Sequence, residues 1–197
     1  MRIALALTVI GSLLTSGCSL LPCTEHRDAS GLLVVCDETP RDMPEALRSA
    51  GSFAWELADE HPDAFGLPWA DPNTGAVELR VVGPVAEPFI LAWQAGTATR
   101  GGPGGKTRTL PRPEVPLRRV TVDRSVAELT SLMNGLVPVR DLPDGDLIFE
   151  DGPDLRRNAI VVTIEHHSDA LLRALAARYG TSAIVIHIAP RGRTEPL

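Results

Sequence analysis

Residues 101–107 read GGPGGKT, and a glycine-rich run closing on Lys-Thr is the pattern with which backbone N–H groups cradle phosphates. The spacing excludes that chemistry. A phosphate loop needs Gly, four residues, then Gly-Lys-Ser/Thr. Ahead of Gly105-Lys106-Thr107 the required position holds Arg100, and counting from Gly101 leaves the loop one residue short. The residues that follow, Leu110-Pro111-Arg112-Pro113, cannot open the helix whose N-terminus would face the phosphates. The segment reads as a basic loop, and no nucleotide is expected.

Glu165-His166-His167 with His187 is the remaining cluster with metal-ligating character. Were the strands bearing them paired, His166 or His167 would approach His187, with Glu165 or Asp169 as a third ligand, as zinc requires. The HExxH spacing is absent. Asp141, Asp144, Asp146, Glu150, Asp151 and Asp154 crowd one stretch without EF-hand spacing, and turns are commonly acidic. Ser125 and Ser168 stand where helix N-caps belong, and no Gly-x-Ser-x-Gly elbow occurs. Trp69, beside a turn, reads either as a binding anchor or, more commonly, as core. His26 and His61 carry no role. The chemistry is that of a protein without catalytic residues or a cofactor, with a metal-dependent enzyme built on Glu165, His166 and His187 as the alternative.

The elements that would position these residues run twice along the chain. Asp42 is an N-cap candidate, followed by Met43, Leu47, Ala50, Ala54 and Leu57 at helical spacing up to His61-Pro62. A hairpin follows around Asp71-Pro72-Asn73-Thr74-Gly75, with Val77, Leu79 and Val81 alternating against Glu78 and Arg80. AEPFILAWQAG reads as a short helix. Residues 96–116 hold Gly, Pro, Thr and Arg with hardly an apolar side chain, a loop or linker. A strand with Val120 and Val122 comes next. Then Ser125 and Glu128 form a capping box before Val126, Leu129, Leu132, Met133 and Leu136. A hairpin turning at Gly152-Pro153-Asp154 leads to a helix over Ser168–Tyr179 with Gly180 as C-cap, and AIVIHIA ends the series. The predicted fold is α+β: tandem helix–hairpin–helix–strand modules over 42–95 and 117–190, with the 96–116 loop or linker between them. The two hairpin turns differ by two residues in length, and the second half has the βαββαβ order of ferredoxin-like domains.

The chain opens MRIALALTVIGSLLTSGCSLLPC. One charge, Arg2, precedes an apolar run from Ile3 to Leu14, too short for a membrane span, and then Thr15, Ser16, Gly17 and Cys18. Small residues directly before a cysteine resemble a bacterial lipobox, with Thr15 where Leu is commonest. The resemblance implies a signal peptide over 1–17, cleavage before Cys18, diacylglycerol on its thiol, and attachment to the extracytoplasmic face of the membrane. Removing Arg2 shifts the formal charge from −6 to −7. That acidity excludes a nucleic-acid partner, which needs a basic face. In an oxidising compartment Cys23 and Cys36 form an even pair, and the short TEHRDASGLLVV loop between them, turning at Ser30-Gly31, reads as a disulfide-closed hairpin in an anchor stalk over 18–41. Free thiols or metal ligation are the alternatives for that pair. Residues 191–197 read as a tail. Lys106 is the one lysine, and with abundant Ala, Gly and Pro the composition suggests a GC-rich, actinobacterial genome.

Gly66, Trp69-Ala70-Asp71 and Gly75 in one half, and in the other Ser125-Val126-Ala127-Glu128-Leu129, Asp154-Leu155-Arg156-Arg157-Asn158 and Ala177-Arg178-Tyr179-Gly180, resemble short motifs of the pro-segment modules of secreted actinobacterial chymotrypsin-like serine proteases. The likeness spans most of residues 43–188. Such modules template the folding of an attached protease and inhibit it. No protease follows here, so the resemblance implies a protein-binding surface, or a chaperone or inhibitor acting in trans. The sequence thus points to a lipid-anchored protein that binds a protein or cell-envelope component.

Overall fold

A computed structural model describes residues 24–36, 42–136 and 141–191. The signal peptide, Cys18 and Cys23 lie outside them, as do residues 192–197 of the predicted tail. The fold is α+β. Its strands are β1 (His26–Arg27), β2 (Leu33–Val35), β3 (Trp69–Asp71), β4 (Ala76–Val81), β5 (Thr99–Gly101), β6 (Thr107–Thr109), β7 (Leu117–Thr121), β8 (Ile148–Asp154), β9 (Ala159–Ile164) and β10 (Ile184–Ile188). The helices are α1 (Glu45–Glu60), α2 (Glu87–Ala95), α3 (Val126–Leu136) and α4 (Asp169–Tyr179). Among the described residues no helix is long and apolar enough to cross a membrane.

The strands form a five-stranded sheet ordered β1-β2-β10-β9-β8, a three-stranded sheet ordered β3-β4-β7, and the β5–β6 hairpin. Val77, Leu79, Ile160, Val162, Ile164, Ile184 and Ile186 of both larger sheets share one buried cluster with Leu47, Ala54 and Leu57 of α1, Ile90 and Trp93 of α2, Leu129 of α3, and Leu171, Leu172 and Leu175 of α4. Neither half buries its apolar face alone.

Helix boundaries follow their caps. The Ser125–Glu128 box is reciprocal: the Ser125 N–H donates to Glu128 Oε2 at 2.8 Å and the Glu128 N–H to Ser125 Oγ at 3.1 Å. Ser168 Oγ accepts from the Leu171 N–H at 3.2 Å, and Gly180 ends α4 at φ 80°. Asp42 does not cap α1. That helix starts later: Pro44 is its N-cap, extended at ψ 141°, with no side-chain bond, and its carbonyl accepts from the Arg48 N–H at 3.0 Å.

The repetition is closer than the sequence pattern suggests. β3 pairs antiparallel with β4, Asp71 opposite Ala76, and β8 with β9, Asp154 opposite Ala159. The last strand of each series adds in parallel: β7 on β4, with Val77 opposite Leu117, and β10 on β9, with Ile160 opposite Ile184. Bonds outside the ladders repeat as well. The Val77 N–H donates to Pro116 O and that of Ile160 to Ala183 O; the Val122 N–H donates to Val81 O and that of Ala189 to Ile164 O.

Four further expectations are corrected. The second turn is not at Gly152-Pro153-Asp154, because β8 runs on through Asp154. Aspartate to left-handed residue spans the same distance in both turns, Asp71 to Gly75 (φ 65°) and Asp154 to Asn158 (φ 53°), so no two-residue length difference exists. β7 does open a β-α-β-β-α-β order, but it hydrogen-bonds to β4 of the first sheet, so the second half is not a self-contained ferredoxin-like unit. Consequently residues 96–116 do not link two modules. They are an insertion in the first repeat, between Gly96 and β7, where the second passes from Gly180 straight into β10. The insertion is ordered by contacts its composition does not advertise. Leu110 is buried, Trp93 Nε1 donates to Pro111 O at 2.7 Å, and Arg100 pairs with Asp59 at 2.7 Å while Arg108 pairs with Glu56 on α1.

Candidate functional site

The two repeats meet where the β8–β9 turn lies against β4 and the segment before β3. Asn158 fastens one side. Its Oδ1 accepts from the Leu67 N–H at 2.6 Å and its Nδ2 donates to Arg124 O at 3.0 Å. A methyl at Gly66 would come within 2.5 Å of that Oδ1 and 2.9 Å of Val122 Cγ2, so only glycine lets the chain pass here. Arg80 fastens the other side. It is 4% exposed, and its guanidinium donates to Leu67 O at 3.0 Å and to the carbonyls of Leu155 and Arg156 in the turn. Glu78, 3.5 Å away, supplies the compensating charge. Burial holds the Arg80 pKa below its ordinary value, with Glu78 and Asp154 opposing.

The fixed turn forms one wall of an open groove of about 300 Å³. Trp69, Val35 and Val161 line it with apolar surface, and Arg156, Arg157 and His187 bring charge and polarity. Sheet register explains the assembly: His187 sits between Val35 and Thr163 across three strands, on the sheet face away from the main core, beside a small apolar cluster of Val35, Ala159 and Val185. Glu25 reaches Arg156 at 3.7 Å and also pairs with Arg157, which Asp154 holds at 2.6 Å. Two arginines are thereby oriented at the rim. An aromatic wall, an apolar floor and basic groups suit an extended peptide or an apolar ligand bearing a carboxylate.

The residues singled out by sequence scatter around this groove. Cys36 is disulfide-bonded and lines the groove; its partner is outside the described residues. Trp69 is neither core nor fully exposed but half-buried as the groove wall, whereas Trp93 is the buried core tryptophan. His187 faces the groove, but Glu165 pairs with Arg191 at 3.4 Å and His166 is exposed. His167 bonds Asp169 at 2.8 Å, a contact that holds the Asp169 carboxyl below its usual range. Among the described residues no three His, Cys, Asp or Glu side chains gather as a metal set. Ser168 donates to Asp144 at 2.6 Å while capping α4, which engages its proton and one lone pair.

Arg80 carried no expectation beyond its place in an alternating strand, and Asn158 none beyond membership of a motif. The available signal was the equal Asp-to-left-handed spacing, which sets Asn158 opposite Gly75: a polar side chain where the turn needs only backbone freedom. No protein-family model, characterised protein or solved structure matches the chain.

Proposed function

We propose that the chain is a non-enzymatic lipoprotein, held by diacylglycerol on Cys18 at the extracytoplasmic face of the cell membrane, that binds a protein or cell-envelope component through the Trp69–Arg156 groove. The observation that carries the binding half is the groove itself: its far wall is a turn held by the buried Arg80 and by Asn158, so the site exists before the ligand arrives and little ordering entropy is lost on binding. The Cys18 anchor and a Cys23–Cys36 bridge rest on the sequence, and they would tether the groove close to the membrane because Cys36 lines it. A trans-acting protease chaperone or inhibitor would be one form of this protein-binding role.

The test has two arms. Cys18→Ala is expected to release the chain from the membrane fraction; unchanged retention would sink the anchor. A photocrosslinker placed at Arg156 in the anchored protein is expected to capture one dominant species, and Trp69→Ala to abolish that capture. Capture independent of Trp69 would remove the groove from the proposal.

A further inference from the structure

β10 and β7 are equivalent strands, yet only one has a neighbour on both sides. The bonds Ile160 N–H to Ala183 O and Ala189 N–H to Ile164 O show odd-numbered residues of β10 turned to β9. Ile184, Ile186 and Ile188 therefore turn their N–H and C=O groups the other way, to β2, which adds in parallel with Leu33, Val34 and Val35 opposite Val185, Ile186 and His187. In the first repeat the matching bonds, Val77 N–H to Pro116 O and Val122 N–H to Val81 O, direct even-numbered residues of β7 to β4. The matching outward groups are those of Leu117, Arg119 and Thr121. No described strand pairs with them.

We propose that this open edge of β7 is a strand-addition site, taking an extended, acid-bearing segment of a partner protein in the parallel orientation that β2 adopts on β10. A backbone ladder supplies affinity and is indifferent to sequence, so selectivity comes from the flanking side chains. On β7 these are Arg118 and Arg119, adjacent cations on an otherwise acidic protein, 53% and 46% exposed, the second already meeting Glu87 at 3.0 Å. Arg118 already bonds Glu78 across the β4–β7 rung at 3.3 Å. By the β10 register, an incoming residue falls beside Arg118 on the same face, and a carboxylate there extends the row Glu78–Arg118–acid. The charges also disfavour a second copy of this chain: antiparallel β7–β7 pairing about Arg119 would set like charges opposite each other.

The inference rests on reading the chain as a binding module, and it concerns a surface distinct from the Trp69 groove. Hydrogen exchange in the full chain, solubilised in detergent, tests it. The probe is a blocked heptapeptide of valine, threonine and two glutamates, with its lysine-for-glutamate counterpart. The acidic peptide is expected to slow exchange across Leu117–Thr121 about tenfold, and the lysine peptide to leave it unchanged. Arg119→Pro removes a donor that faces away from β4, so it should abolish the protection while exchange in β3 and β4 stays as in the wild type; Thr121→Pro repeats the test if the first variant is unstable. Equal protection by both peptides, protection of neither, or protection that rises with protein concentration alone would each overturn the proposal. Crosslinking that does not depend on Trp69, with β7 protection intact, would instead count against the groove.

Discussion

The two repeats share a hairpin register, a parallel third strand and a turn of identical length, and they differ in what each spends those features on. In the β3–β4 turn Asp71 ties its own loop: the Asn73 N–H donates to its Oδ1 at 2.9 Å and Thr74 Oγ1 to its Oδ2 at 2.8 Å, bonds that hold the Asp71 carboxyl below its usual range. Gly75 then closes the turn with no side chain at all. In the β8–β9 turn Asp154 does similar local work on Arg157, but Asn158 reaches out of the loop to the other repeat. Arg80 and Thr163 are likewise equivalent, and only Arg80 bridges to the other repeat's turn. One template thus serves once as a self-contained turn and once as a joint, and the groove lies at the joint.

Arg80 gives the largest expected break. Arg80→Ala strips the carbonyls of Leu67, Leu155 and Arg156 of their donor inside a buried joint and leaves a cavity, a loss of about 3–4 kcal/mol by chemical denaturation. Thr163→Ala, at the matching position, should cost about 1 kcal/mol or less. Equal losses at the two positions would mean that the joint contributes no more than an ordinary strand residue.

Asn158 and Gly75 sharpen the comparison at a smaller scale. Asn158→Ala loses two bonds to the other repeat and places alanine at a left-handed φ, about 2–3 kcal/mol together. Gly75→Ala meets only the backbone strain, since nothing lies within 4 Å of the added methyl, and should cost about 1 kcal/mol. Denaturant midpoints for both variants, compared at equal slope, decide the matter.

How much of this was legible follows the same division. Local features were readable because their cause is local: the Ser125–Glu128 box, Gly180, and the alternation through Val77, Leu79 and Val81 came through as elements. The joint was not, because its partners are distant in sequence, 91 residues from Asn158 to Leu67 and 75 from Arg80 to Leu155. Strand pairing was also illegible for β7. Nothing in LRRVT states whether it lies beside β4 or β9. The 96–116 segment reads as a loop or linker because its order comes from arginines meeting carboxylates on α1, and composition registers such residues only as polar.

That insertion supplies a weaker test. Arg100→Ala with Arg108→Ala removes the ion pairs to Asp59 and Glu56 while Leu110 and the Trp93–Pro111 bond remain. Global stability should fall by about 1 kcal/mol or less, with the difference shrinking in high salt. Exchange should speed up in β5 and β6 but not in β7, which the second repeat's plan shows can follow its helix directly. Exchange that rises together in β6 and β7 would make the insertion part of the first sheet's support.

The smallest effect sits at His61, whose ring stacks on Phe89 with centroids 3.6 Å apart. Burial lowers its pKa, with Glu60 acting the other way. A histidine that resists protonation when folded binds its proton preferentially in the unfolded chain. Stability contributed by its neutral form is therefore complete above the unfolded value near 6.5 and is lost as pH falls through that value toward the lower folded one. His61→Phe keeps a ring against Phe89 and removes the titration, so the wild type should lose stability relative to the variant between neutral and mildly acidic pH and hold a constant difference below the window. A wild-type advantage that grows on acidification would show that Glu60 outweighs burial at this site. Among the described residues the start of α4 holds no histidine–aromatic stack; it carries the Ser168 cap and the His167–Asp169 bond. The difference between the wild type and His61→Phe is therefore expected in α2 and the first repeat.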